Sequence, residues 1–262
     1  MFMDCVTQRQ NSPGSLRRLQ ASLHCDRQSR RWDLAAILAT VAAALIPALK
    51  LDESLSAGIQ YAFTALVAAL FARKSVWLER GRLLRNAFEY RAYGLNMPYP
   101  AYVDDAQISE WDAKYRRRPT NERTTDWFEA TPTGPPEDVR DAQLSSLGFG
   151  TKTRIIWAVS LIVLSLSLVV IYLRLSPKLA FADALSALSL AALIATVTMM
   201  AKISHTAFQH SRSRKSLTRE IQQYGGDYAE VAATFQERIN SVRSSRVIVP
   251  NLIYKLVRMF ER

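Results

Sequence analysis

The chain has 262 residues, 49% hydrophobic and 22% charged, with 34 Lys+Arg against 23 Asp+Glu for a formal net charge of +11. That apolar and aromatic content excludes a fully disordered chain, and its confinement to blocks nearly free of charge argues against a water-soluble globule, which spreads apolar residues at helix or strand periods. Cys5 and Cys25, the two cysteines, lack CxxC or metal-ligand spacing, so neither a disulfide scaffold nor a zinc module has support.

Residues 1–32 read as a polar N-terminal arm, too long, and followed by too long an alanine-rich run, for a cleavable signal. Two apolar runs, 34–49 and 55–72, joined by Lys50–Ser54, predict a first transmembrane hairpin over 33–73. A helix crossing the hydrocarbon core needs about 20 residues. The first pair is marginal by that measure, and Pro47 lies in its first member, so a buried soluble hairpin is the alternative there. Residues 74–153 predict a helical region. One helix continues the second span through 75–92 with Leu78, Leu84 and Phe88, and another starts at Asp104 or Asp105 and carries Ile108, Trp111 and Tyr115. After a Thr/Pro/Gly-rich loop at 131–136, a shorter helix runs from Pro136 toward Leu147.

Runs 155–173 and 179–201, joined by Arg174–Lys178, meet the length criterion and predict a second hairpin over 154–202. In 203–262 a polar helix is interrupted at Gly225-Gly226. Tyr228, Val231, Phe235 and Ile239 then recur at helical spacing, and Pro250 opens a last helix. No alternating strand pattern competes. The expected fold is all-α: an integral membrane protein with four transmembrane helices in two hairpins plus a helical cytoplasmic domain.

Charge sets the orientation. Arg27, Arg30 and Arg31 precede the first span, Arg73, Lys74, Arg80, Arg82 and Arg85 follow the second, and the second hairpin is flanked in the same way by Lys152, Arg154, Lys202, Arg212, Arg214 and Lys215. The hairpin tips carry only Lys50, Arg174 and Lys178. By the positive-inside rule both termini and 74–153 lie in the cytoplasm, with Trp32, Trp77 and Trp157 as interfacial anchors. The expected location is a membrane, crossed several times.

The chemistry-bearing inventory is thin. No phosphate loop, nucleophile elbow or metal-spaced histidine pair is present, and His205 and His210 stand about 140° apart on a helix. A non-enzyme without metal or cofactor is expected. Polar stripes in the spans (Ser56, Gln60 and Thr64; Ser160 and Ser167; Asp183, Ser186, Ser189 and Thr196) line a wet pathway or bond neighbouring backbones, and both readings stand. Alanine rows at 35, 39, 43 and at 187, 191, 195 favour close helix approach. Two basic clusters, Arg116-Arg117-Arg118 with Arg123 and Arg212-Arg214-Lys215-Arg219, are candidate grips on phosphate oxygens, against the alternatives of solvated helix end and lipid headgroup contact.

Several short elements resemble one family. Gln236-Glu237-Arg238-Ile239 with Arg243, then Val249-Pro250-Asn251-Leu252-Ile253-Tyr254, are similar to the closing pattern of the SMODS-associated four-transmembrane effectors, pore-formers encoded beside nucleotide cyclases in bacterial antiphage (CBASS) systems. Ala87-Phe88-Glu89, Gly94-Leu95-Asn96-Met97-Pro98, Asp126-Trp127-Phe128 and the Gln143 helix resemble its middle elements. Asn251 stands where that family has Asp, Phe128 where it has Tyr, and its Leu-Pro-Trp-Asn tryptophan is missing.

The resemblance implies a homo-oligomeric effector in the lipid bilayer, activated by a cyclic oligonucleotide from a neighbouring cyclase, with no role for DNA. The alternative, from another class, is a non-conducting membrane scaffold that docks a protein partner through Trp111, Trp127, Phe128 and Tyr254.

Overall fold

The computed structural model describes residues 5–46, 52–96, 105–115, 127–128, 134–148, 151–175 and 184–244. Among them every regular element is a helix: α1 (Val6–Gln10), α2 (Pro13–Leu45), α3 (Glu53–Tyr93), α4 (Asp105–Tyr115), α5 (Glu137–Gly148), α6 (Thr151–Leu175), α7 (Ala184–Gln223) and α8 (Tyr228–Ser244).

Local chemistry sets the ends of these helices. Ser12 caps α2, its Oγ accepting from Ser15 N at 3.4 Å, with Pro13 in the first helical position where a missing N–H costs nothing. α3 closes in a Schellman turn: Leu95 N donates to Tyr90 O at 2.9 Å and Gly94 N to Arg91 O at 3.2 Å, with Gly94 at φ 67°. Gly225-Gly226 separates α7 from α8, and Asp227 Oδ1 accepts from Ala229 N at 2.9 Å to start the new helix. α4 begins at Asp105 and α5 one residue after Pro136, as the sequence predicts.

The chain divides into two compact units. The first comprises Met1–Gln28, Val76–Thr151 and His210–Arg246. Its larger core gathers Val6, Leu19 and Leu23 from the N-terminal segment, Phe88 and Ala92 from α3, Val139 and Leu147 from α5, Leu217 and Ile221 from α7, and Tyr228, Phe235 and Ile239 from α8. A second cluster packs Cys25 with Leu83, Leu84, Ile108 and Tyr115 beneath Trp77 and Trp111. Within the polar arm expected at 1–32, residues 6–10 and 13–32 are helical, and residues 5–28 pack into this unit. Val6 N donates to Asp138 Oδ2 at 2.7 Å, and the buried Gln10 amide pairs with both backbone groups of Phe128, at 2.9 and 3.3 Å.

The second unit comprises Ser29–Ser75, Lys152–Gln209 and Val247–Arg262. α6 and α7 form an antiparallel hairpin about Trp157, Ala158, Leu161, Leu168, Leu193 and Met200, joined by Ile37 of α2. Ser204 Oγ donates to Ala158 O at 3.0 Å across it, and Lys74 of α3 pairs with the buried Asp33 of α2. The other face of α6 is exposed and apolar, with Leu166 62% and Leu173 67% accessible. On α3, Leu55, Tyr61 and Leu66 are exposed as well.

Among the described residues two stretches are long and apolar enough to cross a bilayer, Gly58–Tyr93 and Glu137–Ile171, and they overlap the expected second and third spans over 58–72 and 155–171. Of the expected first span, residues 34–46 are described, and of the fourth, 184–201. At 1.5 Å per residue these cover about 20 and 27 Å against a core of about 30 Å. The last helix expected from Pro250 lies outside the described residues.

Candidate functional site

Helices α3, α5 and α8 of the first unit meet at a closed polar network. It is built from polar residues that fall on otherwise apolar stripes: Glu89 between Phe88 and Ala92, Gln143 beside Ala142, and Gln236 beside Phe235 and Ile239. Glu89, Gln143 and Gln236 are all 0% exposed. Gln236 Nε2 donates to Glu89 Oε2 at 2.8 Å, and Gln143 Nε2 donates to Gln236 Oε1 at 3.1 Å and to Ala232 O at 3.0 Å. The Tyr228 hydroxyl donates to Gln143 Oε1. Arg243 donates to Glu89 Oε2 and, through its second nitrogen, to Ser146 Oγ. Arg85 Nε lies 3.5 Å from Glu89 Oε1, and its guanidinium carbon 4.6 Å from the Trp127 ring centroid.

Buried polar groups are costly unless paired, and a network with its members bonded holds its elements in one arrangement. Here the single buried carboxylate of Glu89 faces two guanidiniums and an amide. Burial and then the nearby Glu89 charge hold the fully buried Tyr93 phenol well above its ordinary value, against the lowering effect of Arg243 and Arg85. Burial likewise raises Tyr228, opposed by Arg140. The central groups of the network are shut off from solvent and tie α8 to α3 and α5.

A second device works on the same helices. Arg214 of α7 donates Nε to Leu147 O at 2.9 Å and a terminal nitrogen to Ser146 O at 2.5 Å, at the last turn of α5. In return Arg140 of α5 donates to Ile221 O at 2.9 Å and Gln222 O at 2.7 Å, at the last turn of α7. Each helix thus supplies the cation for the other's C-terminal carbonyls, the groups that lack partners within their own helix and carry the negative end of the dipole.

The sequence-predicted residues divide accordingly. Phe88, Trp127 and Gln236 converge on the network: Phe88 stacks on Phe128 at 5.7 Å, and Trp127 faces Arg85. Gly94 makes the α3 turn, where Arg9 covers it and donates Nε to Ala92 O at 3.0 Å. Of the second basic cluster, Arg212, Lys215 and Arg219 are exposed, whereas Arg214 is buried against α5. Gln60 is buried, its amide nitrogen without a hydrogen-bond partner among the described residues, and Thr64 donates to Gln60 O at 2.9 Å. Ser160 and Ser167 bond carbonyls four residues back, at 2.9 Å each, in their own helix. Ser186 and Ser189 lie on α7. Arg116, Arg117, Arg118, Arg123, Pro98, Asp183, Pro250 and Tyr254 lie outside the described residues. Among the described residues no group of three or more His, Cys, Asp or Glu is placed to hold a metal ion.

Sequence reasoning passed over Glu89, Gln143 and Arg243 as a connected set, although it placed each in a separate motif. The signal for their connection is the position of each polar residue on an apolar stripe.

The sequence matches the SMODS-associating 4TM effector domain over residues 4–261, nearly the whole chain. The chain belongs to that family. No curated protein and no solved structure matches it. Membership makes this a four-transmembrane effector of a SMODS-associated, nucleotide-cyclase-linked system and a membrane protein.

Proposed function

We propose that the effector serves bacterial antiphage defence in the inner membrane, where a cyclic oligonucleotide from a neighbouring cyclase drives it into a homo-oligomer that permeabilises the bilayer. The observation that carries this reading is the family match over residues 4–261. Three features support it: a helical unit with a rigid internal joint, a separate unit with lipid-compatible apolar faces, and exposed basic residues at Arg212, Lys215 and Arg219. In this reading the first unit and both termini are cytoplasmic, as the positive flanks require.

A ligand shifts such an equilibrium only by its difference in affinity for the two states. The charged phosphodiesters of a cyclic oligonucleotide would meet guanidinium and ammonium groups on the first unit and favour the arrangement that brings them together. The basic residues Arg116, Arg117, Arg118 and Arg123 are further contacts in this proposal, and Gln60, Thr64, Asp183, Ser186 and Ser189 line the path through the assembled spans. The test is membrane potential in intact cells expressing the chain, with and without an active cyclase. Depolarisation only when both are present supports the reading, and Gln60→Leu should then change conductance without loss of insertion. An unchanged potential and no dye uptake in cells with measured cyclic nucleotide would refute it.

A further inference from the structure

Arg80 is held differently from the other arginines described above. Its guanidinium carbon lies 5.8 Å from the Trp77 ring centroid and 5.5 Å from that of Trp111, and one terminal nitrogen donates to Tyr115 Oη at 3.1 Å. Tyr115 and His24 form the buried floor, their rings stacked at 5.1 Å with 23° between planes, and Trp77 stands 5.4 Å from Tyr115. Trp77, Arg80 and Trp111 form a partly exposed rim above that floor, with both indoles packed against the core. All five residues belong to the first unit, on α2, α3 and α4.

The charge balance distinguishes this cluster. Arg82, Arg85, Arg238 and Arg243 each pair with a carboxylate, and Arg140 and Arg214 cap helix ends. Among the described residues Arg80 makes no ion pair with a carboxylate; its partners are two indole faces and a hydroxyl. Aromatic faces orient a guanidinium without neutralising it, and its remaining N–H groups keep the planar fork that matches a phosphate oxygen pair. Partly exposed indoles are also a platform on which nucleobases stack, irrespective of sequence. A fixed cation and two partly open rings within one cluster match the two ends of a nucleotide.

We propose that Trp77, Arg80 and Trp111 form the recognition surface for a cyclic oligonucleotide, with Arg80 on a phosphodiester and the indoles against a base. This rests on the nucleotide-gated reading above and names its site.

The experiment is equilibrium binding to the full-length chain in detergent at fixed ionic strength. The probes are cyclic di- and trinucleotides that between them carry adenine, guanine, cytosine and uracil, with adenosine and inorganic phosphate as half-ligands. The expected result is that a cyclic oligonucleotide binds more tightly than either half. Trp111→Ala should weaken it roughly 5- to 150-fold, the range for loss of one stacked base, and Trp111→Phe, which keeps a ring, by much less. Arg80→Ala should weaken the cyclic oligonucleotide and phosphate while leaving adenosine binding unchanged, and Arg80→Lys should fall between Arg80→Ala and the native chain because it keeps the charge without the fork. Unchanged cyclic-oligonucleotide affinity in Arg80→Ala and Trp111→Ala chains that melt like the native one overturns this site and leaves the nucleotide reading standing. A native chain that binds none of the cyclic oligonucleotides overturns both.

Discussion

Replacing Arg243 by alanine probes the joint that fixes α8. The Glu89 side chain is 1% exposed and that of Arg243 7%, so the pair is buried and screening by solvent is slight. Removing one partner of a buried pair costs about 3–5 kcal/mol, because the other charge is left without compensation. Here Arg85 remains 3.5 Å from the carboxylate and Gln236 still donates at 2.8 Å, which puts the expected loss at the low end, about 3 kcal/mol. For a chain of this size that corresponds to a fall in Tm of roughly 6–12 °C. The assay is thermal melting of the full-length protein in detergent, run for Arg243→Ala, Arg243→Met, Glu89→Gln and the Arg243→Met/Glu89→Gln double variant. Removing both charges at similar volume should restore at least half of the loss caused by Arg243→Met, a coupling of about 1–3 kcal/mol. Losses that simply add, or a shift below about 2 °C for Arg243→Ala, would show that Glu89 and Arg243 do not act as one element.

Gly94→Ala should cost about 1–2 kcal/mol for the left-handed backbone, and a Cβ there would collide with the Arg9 guanidinium. Gly94→Asn tolerates the backbone but keeps the collision, so an Arg9→Ala background should rescue Asn more fully than Ala in melting experiments; equal rescue would contradict the turn geometry. Tyr93 and Tyr228 have phenols raised above the ordinary 10.0, so the folded state resists their ionisation. The stability this contributes is intact below pH 10 and is lost as pH rises from there toward the raised folded values. Melting temperature should therefore fall above about pH 10, and Tyr93→Phe should flatten that slope; an unaltered slope would count against it. Leu166→Arg, on the exposed face of α6, should cost about 2.5–3.5 kcal/mol if that face meets mid-bilayer lipid, read as a drop in the membrane fraction on cell fractionation. Undiminished membrane recovery would mean that this face is not in hydrocarbon.

Much of the helix plan was readable in the sequence because it depends on local signals. The start at Asp105, the break at Gly225-Gly226 and the stripe of Tyr228, Phe235 and Ile239 need only neighbours within a few turns to be recognised. The packed N-terminal segment was not readable. Gln10 is polar, and what buries it is the backbone of Phe128, 118 residues away. The basic cluster on α7 divides for a related reason: composition groups Arg212, Arg214, Lys215 and Arg219, but only Arg214 falls in line with Ala207, Leu217 and Ile221 on the buried face. Charge counted along the chain merges residues that the helix turns in opposite directions. The network was half visible, since Phe88, Trp127 and Gln236 stand in the motifs of the resemblance, while the bonds that join them span up to 154 residues.

The exchange of arginines between α5 and α7 couples how these two helices let go. Normally a helix frays from its end independently, because only its own last turn is at stake. In this protein, unwinding the end of α7 withdraws the carbonyls that Arg140 holds, and unwinding the end of α5 does the same to Arg214. Two termini more than seventy positions apart in the chain are tied like a pair of shoelace ends, and amide exchange at both should quicken together when either arginine is cut.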